Sequence, residues 1–345
     1  MELLGDRKTP RNLEELLKKA AEDPAFKEAF GEKAEKKPEE VKEIKQDNVE
    51  NIVEDSYKKK IDLVELTEVG ISNRKCGIRG ISFINYSPRT YMGVGFGTGQ
   101  VSVFREDYEP YASMNFKKEI RAIANCRDTG HIAFGGKDRR VRIYHLGEFP
   151  LKAAGIISRK PDVTVKFPSR VNDVAFGHHE SNNLDLLAVG GGVHGKGFVG
   201  IYETYPYKKI LKEIKVFQRP GMVSAVEFSP DDKELFVGGN DIEIYSTADL
   251  NKTPRKRMSN NWVFSLAFSN DGKYVVIGNH DSFEVCRVYP AFWYPEIGYG
   301  CSPYTIHGIS FSPDDKYLAV CGGEPHKTTK EGKGGFVKVF EFRRS

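Results

Sequence analysis

The chain lacks any apolar run long enough to cross a bilayer, and its opening residues, Met1-Glu2-Leu3-Leu4-Gly5-Asp6, hold no apolar signal core. It also lacks a C-x-x-C pair. The five cysteines, Cys76, Cys126, Cys286, Cys301 and Cys321, are odd in number and far apart. That spacing argues against a disulfide framework or a zinc site and predicts reduced, mostly buried thiols in a cytoplasmic protein. No H-E-x-x-H, G-x-S-x-G or G-x-x-x-x-G-K-[ST] signature is present, and no spacing singles out a carboxylate pair. No catalytic residue, cofactor or resident metal is expected. Charge imbalance is small as well. Residues 1–60 carry 14 Lys+Arg against 16 Asp+Glu, which leaves 38 against 32 for the remainder. That falls short of the basic stripe of a dedicated nucleic-acid binder, so neither a membrane nor a specific DNA sequence is an expected partner.

What the chain has in quantity is glycine, 34 residues, with 17 prolines and 12% aromatics, a composition suited to many short strands joined by tight turns. Residues 1–60 differ, being rich in Lys, Glu and Ala. Asn12 and Glu15 form a capping box ahead of Leu13, Leu16, Leu17 and Ala20 on one helical face. Asp23-Pro24 starts a second helix and Pro38 a third. Each stripe is too thin for an independent core, so these helices must pack on the rest of the chain or on a partner.

From residue 61 onward the sequence repeats. Six units begin at 78, 120, 171, 223, 263 and 306, at intervals of 40 to 52 residues. Each opens on a V-x-x-[VIL]-x-F strand, as in Val223–Phe228. A Ser-Pro-Asp-Asp or Ser-Asn-Asp-Gly turn follows in the later units, then a small-and-aliphatic strand ending in glycine. A third alternating strand ends in Tyr or Phe, as in Val141-Arg142-Ile143-Tyr144. One such sheet cannot cover both its faces, so units at this period stack side by side into a ring. Glycine at the end of the second strand suits close backbone approach near the hub.

These units resemble the WD-repeat family over residues 61–345. Ala133-Phe134-Gly135-Gly136-Lys137-Asp138-Arg139-Arg140-Val141-Arg142-Ile143-Tyr144 carries the resemblance best, with Asp138 at the family's turn aspartate and Asp241 and Asp281 near the same place. No unit ends in Trp-Asp, so the resemblance is to a divergent member. It implies an all-β fold, a single β-propeller of six four-stranded blades rather than seven, with an α-helical extension at 1–60. It also implies that a strand preceding the first unit completes the last blade. Ile61-Asp62-Leu63-Val64-Glu65-Leu66 alternates as that clasp should.

The resemblance places the loops joining second to third strands on one rim with those joining neighbouring blades. Two inserts fall there. Gly190–Gly197 contains His194 and Lys196, and Gly322–Gly335 contains His326, Lys327, Lys330 and Lys333. With Arg139, these residues would suit an acidic protein partner, or else they are solvated loop charges. Trp293, within Tyr289–Tyr304, belongs either to an exposed recognition patch or to the covered edge of the fifth blade. Arg140 and Arg142 alternate onto one side of a strand, taken as a solvent face. The expected function is a non-enzymatic interaction platform, a scaffold or adaptor subunit, with RNA or ribosome association as an alternative. A metal-dependent enzyme of the six-bladed lactonase type is the competing class. For it, Asn125, Asn172, Asp173 and His307 are the polar residues placed near the hub.

Overall fold

The computed structural model describes residues 61–73, 77–86, 89–126, 130–145, 155–156, 160–179, 184–205, 210–258, 261–288, 293–301, 304–323 and 334–344. The helical reading of residues 1–60 lies outside them.

The described residues form six antiparallel blades. Blade 1 is β2 (Ile78–Tyr86), β3 (Arg89–Phe96), β4 (Gln100–Phe104) and β5 (Pro110–Asn115). Blade 2 is β6 (Ile120–Asn125), β7 (His131–Gly136), β8 (Arg140–His145) and β10 (Val163–Lys166). Between its last two strands the chain crosses to blade 1, where β9 (Gly155–Ile156) pairs in parallel with Ala112 and Ser113. That excursion accounts for the long second interval. Blade 3, β11 (Val171–His179), β12 (Leu184–Val193), β13 (Lys196–Tyr205) and β14 (Ile210–Arg219), fills the third interval with long strands instead. Blade 4 comprises β15 (Ala225–Phe228), β16 (Glu234–Gly238), β17 (Asp241–Ser246) and β18 (Arg255–Met258). Blade 5 comprises β19 (Ser265–Phe268), β20 (Tyr274–Gly278), β21 (Ser282–Val288) and β22 (Trp293–Gly300). Blade 6 has β23 (Thr305–Phe311), β24 (Tyr317–Gly323) and β25 (Gly335–Arg344), and its outer strand is β1 (Ile61–Asn73). The clasp is therefore longer than the alternation of Ile61–Leu66 indicates, running antiparallel to β25 from Ile61 opposite Arg344 to Asn73 opposite Gly335.

The apolar side chains gather between blades. Ile84, Val101, Ile120 and Phe134 meet between blades 1 and 2, and Val141, Val171 and Val189 between blades 2 and 3. Val226 and Val237 belong to the next wedge, Val263 and Phe236 to the one after, and Phe283 and Phe340 to the fifth. The closing wedge brings Ile78 and Met92 of blade 1 against Cys321 and Val339 of blade 6. Because both faces of a middle strand are covered, Arg142 is not on a solvent face. It pairs with Asp138 and lies 5.1 Å over the Phe116 ring, whereas Arg140 is exposed.

Glycines ending the second strands make these wedges possible. A Cβ on Gly135 would stand 2.6 Å from Val171 Cγ1, and one on Gly190 would stand 2.7 Å from Val223 Cγ1. On Gly191 it would meet the Arg170 carbonyl oxygen at 2.3 Å. We expect Gly191→Ala to lower stability by about 1–3 kcal/mol in urea unfolding, as overpacking does. Gly298→Ala, with open space around its Cβ, should leave the midpoint within error.

The first hairpins of blades 4, 5 and 6 share one turn. Ser229, Ser269 and Ser312 donate to Asp231, Asp271 and Asp314 at 2.6, 2.7 and 2.7 Å. Each aspartate also accepts the N–H of the lysine two residues on, and the next residue, Asp232, Gly272 or Asp315, has positive φ. Partial burial pushes these carboxyls up, but the hydrogen bonds and nearby cations outweigh it and hold all three below the usual range. A carboxyl depressed on folding stabilises the native state above the unfolded pKa of about 3.9 and loses that contribution as pH falls through its folded value. Urea midpoints should therefore drop below about pH 4, and less steeply in Asp271→Asn.

Candidate functional site at the mouth of the channel

Strands β2, β6, β11, β15, β19 and β23 touch one another in sequence around a central channel. The cavity they enclose, about 240 Å³, is lined from every blade, for example by Ser82, Arg121, Asp173, Glu227, Ser265 and His307.

The second residue of each repeat unit falls where the inner strand enters this channel: Arg79, Arg121, Asn172, Ser224, Phe264 and His307. In four blades a β-bulge marks the place. Pairing passes from Ile78 to Gly80, Ile120 to Ala122, Val171 to Asp173 and Ile306 to Gly308, so Arg79, Arg121, Asn172 and His307 have no ladder partner. A bulge of this kind turns the extra side chain away from the ladder. Here the turned side chains meet one another.

They form a belt through all six blades. Arg79 Nε lies 3.6 Å and Arg121 Nη2 2.9 Å from Glu119 Oε1. Arg121 donates to Asn172 Oδ1 at 3.4 Å, and Asn172 donates to the carbonyls of Val223 at 2.7 Å and Gly192 at 3.2 Å. Ser224 donates to the Val263 carbonyl at 2.9 Å and accepts from Trp262 Nε1 at 2.7 Å. The Trp262 and Phe264 rings are 6.2 Å apart, and Phe264 meets His307 edge-on at 6.1 Å. Arg79 donates to His307 Nε2, which completes the circuit.

Charge on the belt is uneven. Arg170, in the loop entering blade 3, donates to the Gly192 carbonyl at 3.0 Å and to Met222 Sδ at 3.1 Å. Its guanidinium lies below the usual range, because partial burial and the nearby Arg121 charge outweigh the opposing pull of Glu119. Further round, Arg219 is matched by Asp241 at 3.3 Å and Glu243 at 3.0 Å.

One step into the channel, Asp173 ties two blades together. It accepts the N–H of Val174 on Oδ1 and of Val226 on Oδ2, both at 2.9 Å. The carboxyl lines the channel and is ringed by protein. Loss of bulk solvation pushes its pKa up to about 7 against the opposing effect of those two bonds.

The residues expected at a binding rim are placed as follows. His194 and Arg139 are exposed on turns, and Lys196 at the start of β13, at the end where the inner strands begin, the same end as the belt. His326, Lys327, Lys330 and Lys333 lie outside the described residues, although Gly323 and Gly335 on either side of them lie at that end, Gly335 against Ile78. Arg139 is a turn residue with φ +64° where blade 1 has Gly99. Trp293 is buried against Phe236 and Phe268, at 5.3 and 6.0 Å, so it serves as a core side chain of the blade 5 edge and not as an exposed anchor. Asn172, Asp173, Asn125 and His307 do line the hub, as their positions in the repeat indicate. Among the described residues, no three His, Cys, Asp or Glu side chains come together as a metal site. The arginines of the belt were not singled out from the sequence. The readable signal was the column formed by the second residue of every unit.

Replacing Asp173 by Ala leaves two channel-side N–H groups without their acceptor, and we expect a loss of about 1–3 kcal/mol near pH 5. A carboxyl raised on folding contributes most below its unfolded pKa and loses that contribution up to its folded value. The penalty of Asp173→Ala should accordingly be smaller at pH 8 than at pH 5 in matched urea titrations.

Residues 252–283 match the family model "WD domain, G-beta repeat". The match runs from the outer strand of blade 4 into the third strand of blade 5, not over the second unit, where the resemblance is plainest by eye. The curated proteins include no match. Solved structures are similar in great number, 1495 chains, so the likeness identifies an architecture and not a role. One, titled "Crystal structure of RRP9 WD40 repeats", aligns over 76% of this chain and 79% of its own at 12% identity, with a TM-score of 0.51. Another, from the "Crystal Structure of Mitotic Checkpoint Complex", aligns over 74% and 71% at 17% identity, with a TM-score of 0.49. With six four-stranded blades closed by an N-terminal strand, the chain has the β-propeller fold, and its residues 252–283 match a WD repeat.

Proposed function

We propose that the protein is a non-enzymatic interaction platform whose working surface is the rim around the belt, and that its partner is another protein. The observation that carries this reading is the belt itself. Six blades each contribute one side chain to a shared entrance, and exposed Lys117, Lys118, Lys137, Arg139, His194 and Lys196 stand near it at the same end. Polar groups clustered at a concave, pre-formed mouth are suited to recognition. The balance of charge there favours an acidic partner. The wide spacing of the five cysteines, with no C-x-x-C pair, supports a reducing compartment such as the cytoplasm.

The test is affinity capture from the native host with the full chain and with the rim variant Lys137→Glu/Lys196→Glu. A protein recovered by the wild type, resistant to nuclease, and reduced several-fold by the variant supports the platform. Equal recovery by both chains would remove the rim from the proposal. Recovery that disappears on ribonuclease treatment would replace it with RNA binding.

A further inference from the structure

We propose that Thr253, in the loop between β17 and β18 of blade 4, is a phosphorylation site for a proline-directed protein kinase. The site is independent of the rim, which lies at the other end of the blade.

The chain holds six Ser/Thr-Pro pairs, at Thr9, Ser87, Ser229, Thr253, Ser302 and Ser312. Three residues after the hydroxyl stand Asn12, Thr90, Asp232, Lys256, Thr305 and Asp315 respectively, so Thr253 alone has a cation at that place. Kinases sort their substrates by charge patterns of this kind. A pocket that takes proline and offers no acceptor also penalises every residue that brings an N–H.

Three of the pairs fall among the described residues, and the fold separates them. Ser312 is buried, and its hydroxyl donates to Asp314 at 2.7 Å and accepts the N–H of Tyr317 at 2.9 Å. Ser229 donates to Asp231 at 2.6 Å and accepts the N–H of Glu234 at 3.0 Å. Both turns face the channel, whose wall includes Ser229, Pro230 and Pro313. Thr253 is the opposite case. It is exposed at the outer edge of its blade, and no hydrogen bond among the described residues engages its hydroxyl.

The loop presents this residue. Ahead of it, the N–H groups of Asn251 and Lys252 reach Asp249 at 3.0 and 3.2 Å, and Lys215 Nζ reaches the Leu250 carbonyl at 2.7 Å. Beyond it, the ladder with β17 begins at Arg255 opposite Ile244. Thr253 and Pro254 bridge the two anchors, and the proline biases Thr253 towards an extended backbone. Because β18 is the outermost strand of its sheet, Arg255 and Lys256 are open to a second protein along its free edge. Lys256 lies 3.3 Å from Glu243 but is 57% exposed, and a pair so open is given up at little cost.

The kinase supplies ATP as co-reactant. Thr253 Oγ1 attacks the γ-phosphorus, the bond from that phosphorus to its bridging oxygen breaks, and ADP leaves. The hydroxyl proton passes to the catalytic carboxylate of the kinase. The product carries about −1.5 to −2 of added charge beside exposed Lys252, Arg255 and Lys256. The basic character of that edge is thereby offset, and no wedge between blades is disturbed.

The experiment incubates the full chain with ATP and a cyclin-dependent kinase and maps phosphate by mass spectrometry. Phosphate should appear at Thr253 and leave the urea midpoint within error. Pro254→Ala and Lys256→Ala should each lower the rate about tenfold, while Thr253→Ser keeps the site. Circular dichroism and urea midpoints check that these variants fold. The chain purified from its native host with phosphatase inhibitors present should carry the same phosphate. Absence of phosphate from Thr253 in either setting, or an unchanged rate in Pro254→Ala, would overturn the proposal and leave the platform standing.

Discussion

Every part of this molecule depends on burying two apolar faces per sheet without a central core. A blade of four strands has no inside, and its Val, Ile and Phe side chains alternate onto both surfaces. They find cover only in the wedges shared with the blades on either side. The last wedge joins Ile78 and Met92 to Cys321 and Val339, residues at opposite ends of the described chain. Until it forms, two blades keep an exposed apolar face. The pairing of β1 with β25 makes that final contact part of a continuous sheet, and so the ring closes by hydrogen bonds as well as by packing.

Closure has a consequence for chemistry. Six inner strands converge on one axis, and four of them bulge at the residue where they enter the channel. Six residues that are about forty positions apart in sequence become adjacent on a circle a few side chains wide. The polar belt is the local answer to crowding at the axis. Cys321, beneath Arg79, shows how dry the neighbouring wedge is, since burial drives its thiol well above the ordinary range despite the nearby cation.

Much of the fold was legible because it repeats. The Ser-x-Asp turn recurs at 229, 269 and 312 with the same hydrogen bonds, and local chemistry of that kind reads directly from residue types. The glycine at each second-strand end was also readable, and its reason proved to be the Val or Ile that opens the next blade. Other features were not local. Arg142 alternates as a solvent-facing residue would, but Asp138 and the Phe116 ring cover it. Trp293 sits in an aromatic run that suits an interface or an edge equally, and contact with Phe236 and Phe268 decides for the edge.

Sequence alone determined that the chain is a six-unit propeller with an N-terminal clasp, since periodicity and alternation are properties of neighbouring residues. Tertiary structure decided what the hub is made of. Arg79, Arg121 and Arg170 are unremarkable in their own segments, and Glu119 is one acid among many. Only the curvature that brings blades 1 and 2 round a common axis sets the guanidiniums of Arg79 and Arg121 on one carboxylate, because electrostatic interaction depends on distance in space and not along the chain.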